Sequence, residues 1–331
     1  MKVWIPAEIY TYLNYVKNYV CRRKLFRKCR GMIMLVSFND LMAEAKRGQY
    51  AVGYFESWDM ESLQAVADAA ETMRSPVILG FSGIHLSNIK RFSNDHFSAY
   101  VALGIEMCRQ ISMPSCLIFN ECPDFEMVLS AIDLGFGIVM FSDENLGYND
   151  QIDYIHQIVN KAHPAFVAVE GEPSALPGIS GDLFTTPEDL HFTDPQMACE
   201  FIDCTNIDAI AVNVGQAHLH GRNEIPLNLK RLAELEKVIS IPLVLHGASS
   251  LCRADIKEAI SLGVRKINVG SILKRTYFNS IRQACAKIGD DYNPYEVVGS
   301  GLDNDVLTIG KIAMQKVVED MMGLFNSAGK A

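Results

Sequence analysis

Glu172, His218 and His246 are the residues whose types and spacing best suit chemistry. Each stands at or just beyond the end of a short apolar run. Neutral imidazole nitrogens and a carboxylate oxygen are the usual donors to a divalent cation. A single histidine is more often a hydrogen-bonded structural residue, so it is the three together, on consecutive runs, that point to a metal. His220, two residues on, competes with His218. The other histidines, His85, His96, His156, His163 and His191, fall on loops or helix faces and read as solvent-side or structural. Two further segments, Gly247-Ala248-Ser249 and Asn268-Val269-Gly270-Ser271, combine small residues, free backbone N–H groups and hydroxyls, which suits a phosphate. Taken singly, each segment is ordinary turn chemistry.

The runs that must position these groups are Ala51–Phe55, Pro76–Ser82, Ser115–Glu121, Gly137–Ser142, Phe166–Glu172, Ala209–Val214, Ile241–Gly247 and Lys266–Ser271. They are short and nearly continuously apolar, as parallel strands covered on both faces are. Between them lie amphipathic stretches such as Met60–Met73, Asp124–Leu134, Asp194–Cys204 and Leu227–Val238. Eight such alternating units predict an α/β fold, a single-domain (β/α)8 TIM barrel. An open doubly wound sheet lacks support, since no G-x-G-x-x-G follows the first run. Function in such a barrel sits where strands give way to the following loops. The polar residues there are Glu56, Ser82, Asn120, Glu121, Ser142, Asp143, Glu172, His218, His246, Asn268 and Ser271, and they are expected to converge on one rim.

Composition excludes several classes. The chain has 331 residues, 49% of them hydrophobic and 21% charged, with a net charge of −9. Residues 1–31 hold eight basic residues and one acid, so 22 of 30 basic and 38 of 39 acidic residues lie beyond them, a charge of −16. So acidic a body argues against nucleic acid as a partner. No run approaches the ~18 apolar residues that span a bilayer, so no membrane role is expected. Nine scattered cysteines without a C-x-x-C pair suggest reduced thiols in a cytoplasmic protein. The basic segment reads as a partner-binding arm, a targeting presequence, or sequence upstream of a start at Met32 or Met34. The last is favoured, because barrel periodicity begins only after Met34. Residues 1–33 are thus expected to be an extension outside the fold, with the barrel over 34–331.

These motifs, in this order, resemble class II fructose-bisphosphate and tagatose-bisphosphate aldolases over residues 34–331. Ala51-Val52-Gly53-Tyr54-Phe55 is similar to the family's opening strand, and Ala131–Phe136 through Met140 to its fourth unit. Val169-Glu170-Gly171-Glu172 resembles the fifth-strand motif, and Phe192-Thr193-Asp194-Pro195 the helix start that follows. Gly215-Gln216-Ala217-His218 resembles G-T-x-H. Leu243–Ser249 resembles L-V-L-H-G-G-S, Lys266–Val269 the N-[VI] phosphate loop, and Leu324–Lys330 the C-terminal signature. The resemblance implies metal ligation by Glu172, His218 and His246, phosphate contacts from Gly247, Ser249 and Ser271, and substrate hydroxyl contacts from Asn268 and Ser82. It implies a divalent metal, Zn2+ first with Mn2+ or Mg2+ as alternatives, a small sugar-phosphate substrate, and a homodimer or homotetramer. The metal of such enzymes polarises a ketose carbonyl and stabilises the enediolate formed as a C–C bond breaks.

The departures are as informative. Where the family has H-L-D-H, this chain reads Ile118-Phe119-Asn120-Glu121, so the usual catalytic Asp is Asn120 and a usual metal His is Glu121. An amide cannot act as a general base. Glu121 can still ligate metal, and an oxygen-richer site tolerates Mn2+ or Mg2+ better than three imidazoles do. The G-G-x-E-D loop reads Pro177–Asp182, with Ser180 replacing an acid. Leu219 replaces a glycine, while Arg222 keeps a basic residue able to grip an anion bidentately. The family's Asn after strand one is Glu56, a replacement base. The leading expectation is a metal-dependent C–C lyase with Asn120 in the catalytic position and Glu56 or Glu121 moving the proton. The alternatives are a sugar-phosphate epimerase or isomerase on the same scaffold and a non-catalytic sugar-phosphate-binding barrel.

Overall fold

A computed structural model describes residues 34–93, 95–174, 176–177, 192–218 and 224–331. All eight expected strands form: β1 (Val52–Ser57), β2 (Val77–Ser82), β3 (Ser115–Cys122), β4 (Ile138–Phe141), β5 (Ala168–Gly171), β6 (Ala209–Ala211), β7 (Leu243–Leu245) and β8 (Val264–Val269). They pair in parallel in chain order, and β8 returns to β1 with Val52 opposite Lys266 and Tyr54 opposite Asn268, closing a barrel. The single-domain (β/α)8 expectation over the described residues is therefore met. Residues 1–33 lie outside those described.

Alternation along the strands sorts the side chains. Phe55, Leu79, Phe81, Phe119, Val139, Val169, Leu245 and Ile267 face outward into the main core beneath the helices. Val52, Tyr54, Ile78, Cys116, Ile118, Ile138, Ala168, Ala209 and Val244 face inward and form a second cluster. One helix, α1 (Phe38–Gly48), joins this inner cluster through Phe38, Leu41, Met42 and Ala45. Ser37 caps it by accepting from Asp40 N at 3.1 Å. Close by, Val36 N donates to Ser115 O at the start of β3, so α1 plugs the end of the barrel where strands begin. The opposite end is left for function.

The helices between strands start on short polar caps. The second, α2 (Met60–Met73), carries a reciprocal box in which Ser62 N donates to Asp59 Oδ1 at 2.8 Å and Asp59 N to Ser62 Oγ at 3.0 Å. After β2 comes the single turn α3 (Gly83–Leu86), then α4 (Phe97–Gln110). Asp124 caps α5 (Phe125–Leu134) directly after β3, followed by α6 (Tyr148–Ala162). Asp194 caps α7 (Pro195–Thr205), and α8 (Leu229–Val238) and α9 (Arg253–Ser261) follow. The helix after β8, α10 (Ser271–Cys285), opens directly onto the barrel mouth, followed by α11 (Pro294–Val297) and α12 (Val306–Leu324). Among the described residues, no helix is long and apolar enough to cross a membrane.

Replacing the plug residue Phe38, 1% exposed, by alanine is expected to cost about 3–5 kcal/mol through the cavity it leaves. Chemical denaturation measures that loss, and metal content should not change, because the plug lies at the other end of the barrel.

Candidate active site at the barrel mouth

At the ends where strands give way to loops lies a cavity of about 370 Å³. Its walls include Glu56, Ser82, Asn120, Glu121, His218, His246, Gly247, Ser249, Asn268 and Ser271. The residues expected to converge on one rim thus largely do so. Ser142, Asp143 and Glu172 do not line it. Ser142 Oγ instead donates to Glu172 Oε1 at 2.5 Å, while Gln151 Nε2 holds the Glu172 carbonyl at 2.8 Å. Arg222, His220, Ser180 and Asp182 lie outside the described residues.

Strand alternation explains most of the set. Glu56, Ser82, Asn120, Glu170, His246, Lys266 and Asn268 continue the inward-facing positions of their strands. Glu121 breaks the rule: as Asn120's neighbour it should point outward. However, the β3–β4 register slips between Phe119 and Cys122, placing one extra residue in β3, and Glu121 adopts φ 51°. This is a β-bulge with a non-glycine residue in the left-handed region, a strained arrangement typical of functional sites. It turns both Asn120 and Glu121 toward the cavity, where Asn120 Nδ2 donates to Glu121 Oε2 at 2.7 Å.

His246 is the hub. It is 1% exposed, with Nδ1 2.9 Å from Glu121 Oε1 and Nε2 2.8 Å from Glu170 Oε1. Glu170 also pairs with Lys266, whose Nζ is 2.8 Å from its Oε2. Lys266 Nζ in turn donates to Asn268 Oδ1 at 2.5 Å and lies over the Tyr54 ring. Asn268 Nδ2 sits 2.9 Å from His246 Nε2 and 3.2 Å from Asn120 Oδ1. With Nε2 protonated toward Glu170, its contact with the amide opposes two donors, so Asn120 is the true acceptor for Asn268.

The electrostatics follow from these pairs. Burial alone would lower His246, but the two carboxylates raise it to about 10. Burial would raise Glu121, yet the His246 charge and hydrogen bond bring it down to about 2. Glu170 is held low against its burial, chiefly by Lys266. Burial, aided by the neighbouring carboxylates, pushes Glu172 up to about 7.

Glu121 Oε1 is shared, since His218 Nε2 lies 4.0 Å from it, and His218 is anchored by its own N–H to Pro177 O at 2.9 Å. No group of three or more His, Cys, Asp or Glu among the described residues stands in metal-holding geometry. In chemical type the donors nonetheless fit a divalent cation: two imidazoles meet at one carboxylate oxygen. Glu170 holds the second nitrogen of His246, as carboxylates orient metal-ligating imidazoles. Glu121 is thus the carboxylate that both histidines approach, whereas Glu172 does not line the cavity they face.

Several side chains add to the sequence reading. His85, read as solvent-side or structural, is indeed exposed, and it also borders the cavity with Nε2 3.6 Å from Glu56 Oε1. Glu170 and Lys266 went unnoticed inside apolar runs. Their signal was the inward alternation Glu170-x-Glu172 and Lys266-x-Asn268. Lys274 and Arg275, in the first turns of α10, also line the cavity and were missed. His163, by contrast, is structural as expected, pairing with Asp208 at 3.0 Å.

The model of the family "Fructose-bisphosphate aldolase class-II" matches residues 36–330. The chain is 31% identical over 300 residues to a fructose-bisphosphate aldolase of Geobacillus stearothermophilus, covering 90% of this chain and 99% of that protein. It is 28% identical over 296 residues to a sulfofructosephosphate aldolase of Alkalicoccus urumqiensis, covering 89% and 98%. Among solved structures it is similar to the YdjI aldolase of Escherichia coli K12, with a TM-score of 0.72, 26% identity, and coverage of 90% and 100%.

The His246 ion pairs predict a pH signature in chelator-treated protein. Its folded value of about 10 exceeds the ordinary 6.5, so its stabilisation is complete below pH 6.5 and is lost as pH rises through about 10. Thermal melting across that window should show stability falling, with a shallower slope in His246→Asn.

Proposed function

This chain belongs to the class II fructose-bisphosphate aldolase family, and from that premise we propose that it is a metal-dependent aldolase-type lyase that cleaves or forms a C–C bond in a ketose phosphate or related sugar. The observation that carries this reading is the meeting of His246 and His218 at Glu121 Oε1, beside a cradle of glycine and serine at the ends of β7 and β8.

In this reading His218, His246 and Glu121 hold a divalent cation, with Glu172 as a further carboxylate close by. Zn2+ is the first choice for two imidazoles, and the carboxylates admit Mn2+ or Mg2+. The bound metal supplies Lewis acidity to the substrate carbonyl. Gly247, Ser249 and Ser271 receive the phosphate, with Arg222 as a further grip. Ser249 Oγ, which accepts from Ile272 N at 3.2 Å, ties the β7 loop to the start of α10. Asn268 and Ser82 contact substrate hydroxyls. Asn120 can hydrogen-bond a substrate oxygen but cannot take its proton. Glu121 is a weak base, because His246 holds it ionised far below neutrality. Glu56 is therefore the residue we assign to proton transfer. For location and assembly the proposal is a cytoplasmic homodimer or homotetramer. The free thiols of the described cysteines support the first, and resemblance to the family the second.

One observation favours a second reading, a barrel that binds sugar phosphate or epimerises it: the residue in the family's acid–base position is an amide.

Protein purified without chelator should carry about one equivalent of divalent metal by elemental analysis, and His218→Ala should lose most of it. Metal-replete enzyme should cleave at least one substrate in a screen of ketose phosphates, sugar acids and polyol phosphates, and Glu56→Gln should lower that turnover about 100-fold. Metal-replete enzyme inert across the whole screen would leave the second reading standing.

A further inference from the structure

Pairing of β1 with β8 carries Glu56 beside the loop that opens α10, since Phe55 lies opposite Val269. Its Oε1 accepts from Lys274 Nζ at 2.5 Å, and His85 Nε2 lies 3.6 Å from the same oxygen. Its Oε2 lies only 2.4 Å from the point a Cβ at Gly270 would occupy, so the carboxylate rests against the backbone at the helix start, and any larger residue there would push it aside. An anion entering the mouth is drawn by two features in this corner, the Lys274 ammonium and the positive end of a 15-residue helix. A carboxylate of the chain itself already faces both. The Glu56 side chain is 14% exposed and that of Lys274 35%, so the pair lies at the cavity wall within reach of a ligand.

We propose that Glu56 is the resident counter-ion of Lys274 and governs which anions the mouth accepts, a tetrahedral oxyanion being bound by taking Lys274 over from Glu56. This rests on the reading of the β7 and β8 loops as an oxyanion cradle and adds to it a selectivity residue and its cation. Two negative groups cannot share one ammonium at close range without mutual repulsion, and the penalty grows with the charge of the newcomer. Glu56 therefore holds back a dianion such as a phosphate ester more than it does a singly charged sulfonate.

Calorimetric titration of the full-length, metal-replete protein with inorganic phosphate and with methanesulfonate, at low ionic strength, tests this without reading turnover, so a role of Glu56 in proton transfer does not enter. Glu56→Gln should bind phosphate about tenfold more tightly than wild type and methanesulfonate by a smaller factor. Lys274→Met should bind phosphate about tenfold more weakly. Circular dichroism confirms that each variant is folded, and either variant alone decides. If phosphate binds wild type but Glu56→Gln gains nothing, or Lys274→Met loses nothing, the counter-ion assignment is overturned while the cradle stands. If phosphate binds none of the three proteins, the cradle reading is wrong and the proposal falls with it.

Discussion

One extra residue in β3 sets the chemistry of this mouth. Regular strand alternation would bury Glu121 against the outer helices, where an unpaired carboxylate is costly. The bulge, with Glu121 at φ 51°, turns that carboxylate inward until it meets His246. Left-handed backbone at a non-glycine residue costs on the order of 1–3 kcal/mol. The carboxylate–imidazole contact and the Asn120 amide bond offset that cost in the folded state.

From this contact a continuous polar network runs across the inside of the barrel: Glu121 to His246, to Glu170, to Lys266, to Asn268, and back to Asn120. Glu170 and Lys266 are fully buried. Ions so placed are tolerated only with partners, and removing one of a pair typically costs about 3–5 kcal/mol because it strands the other. The same pairing keeps His246 from rotating, so its ring presents a fixed edge to Glu121 and the cavity. Below this layer the inward positions turn apolar, and α1 seals the far end. Stability and chemistry thus occupy opposite ends of one barrel, as parallel α/β barrels generally arrange them.

The residues that read as departures from the family resemblance lie together in space. Asn120 and Glu121 sit side by side on the bulge and hydrogen-bond each other. Glu56 lies against Gly270 and on Lys274, two neighbouring positions more than 200 residues away in sequence that meet it at the β1–β8 seam. The carboxylate at 56 has a cation within reach and, at Gly270, a residue without a side chain beside it.

Much of this was legible in the sequence, because strands buried on both faces must be apolar throughout and the polar residues that end them stand out. Eight runs gave eight strands, and Glu56, Ser82, Asn120, His218, His246, Asn268 and Ser271 came to one cavity. Glu170 and Lys266 were hidden, since each lies inside an apolar run and its partner is distant in the chain. His85 is solvent-side as read, and that it also borders the cavity near Glu56 depends on a tertiary neighbour that no local pattern signals. Linear sequence therefore determined the barrel, its closed order and the rim that carries the site. Which carboxylate meets which imidazole was decided only in three dimensions, because one bulged residue reverses the face a side chain occupies and strand closure joins residues more than 200 positions apart.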